Sequence, residues 1–139
     1  REIFEIRAGL FDIVARQVAA TRPPELMAVL HAGVARLEDL AAQADGGDAY
    51  AETAYRLMII AARFCGNLRL QRMLSALSLQ ALRYSKLGLA TVDRRRRSAG
   101  LWRRAVQAIE RGDEAEAVAL TLQRIQESGD EAARQLGVA

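Results

Sequence analysis

The sequence contains one cysteine, Cys65, and one histidine, His31, in 139 residues. A lone cysteine excludes an internal disulfide, as suits a reducing cytoplasm. Its two prolines, Pro23 and Pro24, are adjacent, so the rest of the chain is free of the strongest helix breaker. Aromatics make up only 5%. No apolar run is long enough for a transmembrane helix and no signal-peptide pattern is present, so the expected location is cytoplasmic, with no membrane partner. Enzyme signatures are missing too. There is no nucleophile–base pair, no paired carboxylate arrangement, no glycine-rich phosphate loop and no Glu-x-x-His repeat. A net charge of +3, from 20 Lys+Arg against 17 Asp+Glu, is only mildly basic and falls short of a dedicated nucleic-acid binder.

What remains is helix-forming material. Hydrophobic residues make up 51% of the chain, with Ala and Leu dominant, and such residues lose little side-chain freedom in a helix. A chain of this length reads as one domain, residues 1–139, able to bury a core without staples. The first segment, Ile3 to Ala20, carries Ile3, Ile6, Leu10, Ile13, Val14 and Val18 at helical spacing. Thr21 is placed to cap the second, Glu25 to Ala44, whose stripe is Leu26, Val29, Leu30, Val34, Leu37 and Leu40. The turn Asp45–Asp48 precedes a third helix, Ala49 to Cys65, apolar nearly all round, with Asp48 as expected cap and Gly66-Asn67 as its close. The fourth runs from Leu68 to Leu87 and ends at Gly88; the fifth runs from Val92 to Arg111 and opens on Arg94–Arg97. That arginine run reads first as a solvated face and second as a phosphate-facing patch. Asp113 caps the sixth helix, Glu114 to Leu136, with an interruption expected near Ser128-Gly129. No period-two alternation suggests a strand. The fold class is therefore all-α, an antiparallel bundle of about six helices whose short links make sequential helices neighbours.

Three segments take the reading further. They are Phe4-Glu5-Ile6-Arg7-Ala8-Gly9-Leu10, Cys65-Gly66-Asn67-Leu68-Arg69-Leu70, and Ala105 to Ala117 with its Ala-Ile and Gly-Asp pairs. In order and separation they resemble the C-terminal ligand-sensing (FCD) domain of FadR-type regulators of the GntR superfamily. The resemblance covers essentially the whole chain. It implies a homodimeric effector-sensing domain of a transcription regulator, expected to be a repressor. DNA contact would belong to an N-terminal winged helix-turn-helix that lies outside this chain.

The departures from that family are specific. Most such domains hold a divalent metal with an Asp and a His on the third helix and histidines on the fifth and sixth. Aligned on Gly66-Asn67 and Gly112-Asp113, those positions carry Ala54, Met58, Trp102 and Arg124. None of these is an imidazole or carboxylate, so the expectation is no metal and no cofactor. The expected ligand is a small organic effector, anionic, with Arg124 and Arg7 as anchors. Tyr55, Arg83 and Tyr84 could reach the same cavity from the third and fourth helices. The alternatives stay open here. Arg124 could face solvent, and Met58 and Trp102 could plug the old cavity, leaving a helical interaction and dimerisation module. His31 reads as a surface or half-buried residue and Cys65 as an apolar residue near a helix end.

Overall fold

Turns fall at the proline and glycine signals, and the segments between them are helical. The computed structural model describes residues 2–137. Its helices are α1 (Glu2–Thr21), α2 (Pro24–Ala41), α3 (Gly47–Arg63), α4 (Leu68–Gly88), α5 (Val92–Glu110) and α6 (Glu114–Gln135). No strand occurs among the described residues, and the expected all-α bundle of six helices is the fold. Gly66 (φ +68°) and Gly112 (φ +71°) supply the left-handed residues that follow α3 and α5. Three helices start on a side-chain cap. Asn67 accepts from the Leu70 amide at 3.0 Å, Thr91 from Arg94 at 3.2 Å and Asp113 from Glu116 at 3.1 Å.

Several expectations are corrected. Thr21 does not cap α2. It ends α1 and donates its hydroxyl to the Gln17 carbonyl at 2.9 Å, while Pro23 stands at the N-cap with no side-chain bond. Helix α2 stops at Ala41, not Ala44. Helix α3 begins at Gly47, two residues early, so Asp48 lies in its first turn, where a carboxylate still suits the helix dipole. Helix α6 runs unbroken through Ser128-Gly129. A Cβ on Gly129 would lie 2.9 Å from Phe4 Cγ, so this glycine permits a close approach of α1 rather than breaking a helix.

Helix α6 packs on α1, α4 and α5; α2 packs on α3 and α5; α3 packs on α4. The pairs α1–α2 and α4–α5 are joined in sequence but do not pack extensively, so adjacency in sequence does not fix neighbours everywhere. Leu26, Val34, Leu37, Tyr50, Leu74 and Val106 are fully buried. Each large side chain of this kind stabilises the fold by about 1.5–3 kcal/mol.

The buried face of α1 also differs from expectation. It is Phe4, Arg7, Phe11, Val14, Ala15 and Val18, while Ile6 and Ile13 are about half exposed. The Arg94–Arg97 run is not a uniformly solvated face. Arg95 is fully buried and donates to the carbonyls of Leu89 and Ala90, at 3.0 Å each, and of Gln43 at 2.6 Å. It ties the α4–α5 link to the α2–α3 link. Arg94 pairs with Glu131 at 3.0 Å and Arg97 with Glu127, which argues against a phosphate-facing patch.

Candidate functional site

The register that buries Phe4 and Phe11 on α1 also buries Arg7 between them, and its guanidinium lies 5.4 and 5.8 Å from their ring centres. On α6 the register Ala117–Leu120–Arg124–Ile125 turns Arg124 inward in the same way. Both arginines end on one atom. Arg7 Nη2 and Arg124 Nη1 each donate to the sulfur of Met58, on α3, at 3.7 Å. Arg124 also stacks on the Trp102 ring, 4.0 Å from its centre, and Arg7 Nε donates to Ser78 Oγ at 3.4 Å.

Neither guanidinium meets a carboxylate among the described residues. A thioether is a weak acceptor. Burial lowers the pKa of Arg7 to about 10. It does the same to Arg124, where the Tyr50 hydroxyl opposes the shift and the like charge of Arg7 adds to it. Both remain charged at neutral pH. The contrast with Glu131 is direct. That buried carboxylate is bonded by Arg94, Arg134 and Gln135.

Two small spaces adjoin this pair. The first, about 30 Å³, carries the polar groups: Arg7, Tyr55, Ser78, Ser98, Ser128 and Arg124 contribute to its wall, among apolar residues that include Ala54, Met58, Leu82 and Ile125. The second, about 50 Å³, is apolar, lined by residues that include Phe11, Val18, Leu30, Trp102, Val106 and Ile109. Met58 and Arg124 line both. Two donors beside these spaces have no partner, the buried Trp102 Nε1 and Ser128 Oγ. Tyr50 donates to Ser98 Oγ at 2.7 Å, and burial pushes its hydroxyl pKa up to about 12.

Of the residues singled out in the sequence, Arg7, Ala54, Tyr55, Met58, Trp102 and Arg124 come together. Arg124 is buried rather than solvent-facing. Arg83 does not join them. It is exposed, lies over the Tyr84 ring at 4.9 Å, and lines an outer groove between α1, α4 and α6 with Tyr84. His31 is exposed and pairs with Glu110. Cys65 is half-buried, its thiol pKa raised by burial. The serines were missed. Ser78, Ser98 and Ser128 occupy the inward positions of their helices, and helical register was the available signal.

The residues at the metal-ligand positions do not fit a divalent cation. The Arg124 guanidinium occupies one position and a second cation, Arg7, touches the same sulfur. Among the described residues no group of three or more His, Cys, Asp or Glu gathers anywhere. No helix among them is long and apolar enough to cross a membrane. A family model described as FCD domain matches residues 2–127. No curated protein and no solved structure matches the chain.

Proposed function

Since the chain belongs to the FCD family, the C-terminal domain of GntR/FadR-type regulators, we propose that it senses an organic anion held directly by Arg7 and Arg124, with no metal. FCD domains are regulatory, ligand-sensing modules of transcription factors and not an enzyme family. One observation carries the proposal. Two buried guanidiniums converge on a methionine sulfur with no counter-charge. Burying a charge is costly unless it is paired and hydrogen-bonded, and a carboxylate is the acceptor that fits a guanidinium fork. The pair supplies the positive charge that a cation supplies in metal-binding relatives.

The wider function follows from the family. The protein would act as a homodimer in the cytoplasm as part of a transcription repressor, with DNA held by a separate winged helix-turn-helix. Effector binding would shift the bundle between two packings, by no more than the difference in its affinity for them.

Trp102 is the only tryptophan and stacks on Arg124, so its fluorescence is the natural reporter. The expected result is a saturable change on titrating mono- and dicarboxylates, unaltered by EDTA and lost in Arg124→Met. A response that requires added zinc or nickel would overturn the metal-free reading.

The small size of the two spaces, about 30 and 50 Å³, favours a second reading, an interaction and dimerisation module with a plugged pocket. Native mass spectrometry separates the two. A dimer carrying an organic acid supports the sensor, and an empty dimer that takes up no carboxylate supports the module.

A further inference from the structure

The polar and apolar spaces meet at the same two side chains, Met58 and Arg124. We propose that the effector is an amphipathic monocarboxylate, with its head in the polar space between Arg7 and Arg124, its alkyl or single-ring tail in the apolar space, and Met58 as the movable partition between them. This rests on the anion reading above and adds the class of acid and the way it is admitted.

The linings divide the ligand. The first space gathers both guanidiniums and the hydroxyls of Ser78, Ser98 and Ser128 among apolar neighbours. The second offers only Thr121, Arg124 and the unpartnered Trp102 Nε1 to a polar group. A second carboxylate placed there would lose its water with too few partners in return. An apolar tail would lose nothing, because enclosed apolar cavities stay dry and take apolar guests.

Size requires movement. The apolar space, about 50 Å³, is smaller than the roughly 150 Å³ apolar cavity known to hold benzene. Met58 is the side chain placed to yield. It is unbranched, with three rotatable bonds, and its sulfur is engaged by two N–H···S contacts of 3.7 Å. A carboxylate is the stronger acceptor for both donors. Arrival of the head therefore takes both guanidiniums off the sulfur, and the freed thioether can swing to join the two spaces. Head recognition and tail admission are then one event.

The test is calorimetric titration of the purified protein with acetate, butyrate, hexanoate, phenylacetate and succinate, and with neutral hexanamide. Each methylene buried should tighten binding about fourfold. Butyrate should then exceed acetate by about 15-fold, and hexanoate should be tighter still. Thr121→Leu narrows the apolar space from a half-buried position, and should cost hexanoate about tenfold while sparing acetate. Equal affinities along the series, or succinate tighter than hexanoate, would overturn the tail assignment and leave the anion reading standing. Hexanamide binding as tightly as hexanoate, or no saturable binding of any carboxylate, would overturn both. The wild-type series decides the matter even where the variant does not fold.

Discussion

Replacing Arg124 by methionine should stabilise the free protein and weaken its hold on an anion. Burial lowers the pKa of Arg124 from the ordinary arginine range to about 10. At 1.36 kcal/mol per unit, that shift corresponds to roughly 3 kcal/mol of stability lost by holding the charge in the fold. The sign follows from the direction. A base whose folded pKa is depressed destabilises the fold fully below that pKa, and the cost fades only as pH rises above about 10. At neutral pH the whole cost is present. Methionine is shorter than arginine but close to it in volume, and it removes the charge. Against the gain stand a lost cation–π contact with Trp102, worth about 1–2 kcal/mol when desolvated, and imperfect packing, about 1 kcal/mol. The net is a gain of at most about 1 kcal/mol, or a rise in Tm of up to about 3 °C for a chain of this size. Circular dichroism at 222 nm reads the Tm, and calorimetry with hexanoate reads the affinity. Truncating one member of a buried charged hydrogen bond costs about 2–5 kcal/mol, so affinity should fall at least 30-fold. A variant less stable than wild type by more than about 1 kcal/mol, with hexanoate affinity unchanged, would refute the reasoning. It would mean that the guanidinium is already satisfied within the protein and serves the fold.

The remaining predictions concern the scaffold. Arg95→Met should destabilise by about 3 kcal/mol, read by urea unfolding, because the carbonyls of Gln43, Leu89 and Ala90 lose a charged donor inside the protein; a loss under about 1 kcal/mol would show that water replaces it. Gly88→Ala should cost about 1–3 kcal/mol, because its Cβ would collide with the Ser128 carbonyl oxygen; wild-type stability would mean that α4 and α6 can separate freely there. On the acid side, hydrogen bonds from Arg103 and Arg97 lower the pKa values of Glu38 and Glu127. Depressed carboxylates contribute stability that is present above their unfolded pKa and lost as pH falls through the folded one. A shallow decline below about pH 4.5, diminished by 0.5 M salt, is expected in thermal melts, and a melt that salt leaves unchanged across that window would assign the decline elsewhere. Solvent screens both pairs, so the decline is small.

Helix number, turn positions and the stripe of α2 were legible because each is written locally. Glycine after α3 and α5, and the capping side chain before α6, act within a few residues of themselves. The inward face of α1 was not legible in the same way, because α1 carries two stripes at helical spacing. Ile3, Ile6, Leu10 and Ile13 form the more aliphatic one, and Phe4, Arg7, Phe11 and Val14 form the one that packs. An arginine within the second makes it look like the outer face, and only the neighbours in α4 and α6 decide the choice. Arg95 was hidden for a related reason. It is one of four consecutive arginines, identical in type and opposite in environment. Its register with Ser98, Ala99, Trp102, Val106 and Ile109 was the available signal. The site itself was half legible. Departures from the family's ligand pattern marked Ala54, Met58, Trp102 and Arg124. Only three-dimensional packing could join Arg7 to Arg124 across Met58 and show that no carboxylate comes with them.

That unmatched charge gives an effector its leverage on the fold. Arg7 belongs to α1 and Arg124 to α6, helices that pack so closely that Gly129 leaves no room for a Cβ against Phe4. In the free protein, like charges at the Met58 sulfur oppose that packing. An anion between them reverses the sign of the interaction. A ligand present at 100 times its Kd stabilises the state it binds by about 2.7 kcal/mol, close to the roughly 3 kcal/mol cost of one buried guanidinium worked out above. Occupancy can therefore offset what the empty site costs. A ligand of lower net charge could fill the same volume without this effect, because binding shifts two packings only by the difference in affinity for them. On this reading the charge of the effector, and not its bulk, is what the α1–α6 contact senses, while the tail sets how tightly the effector is held.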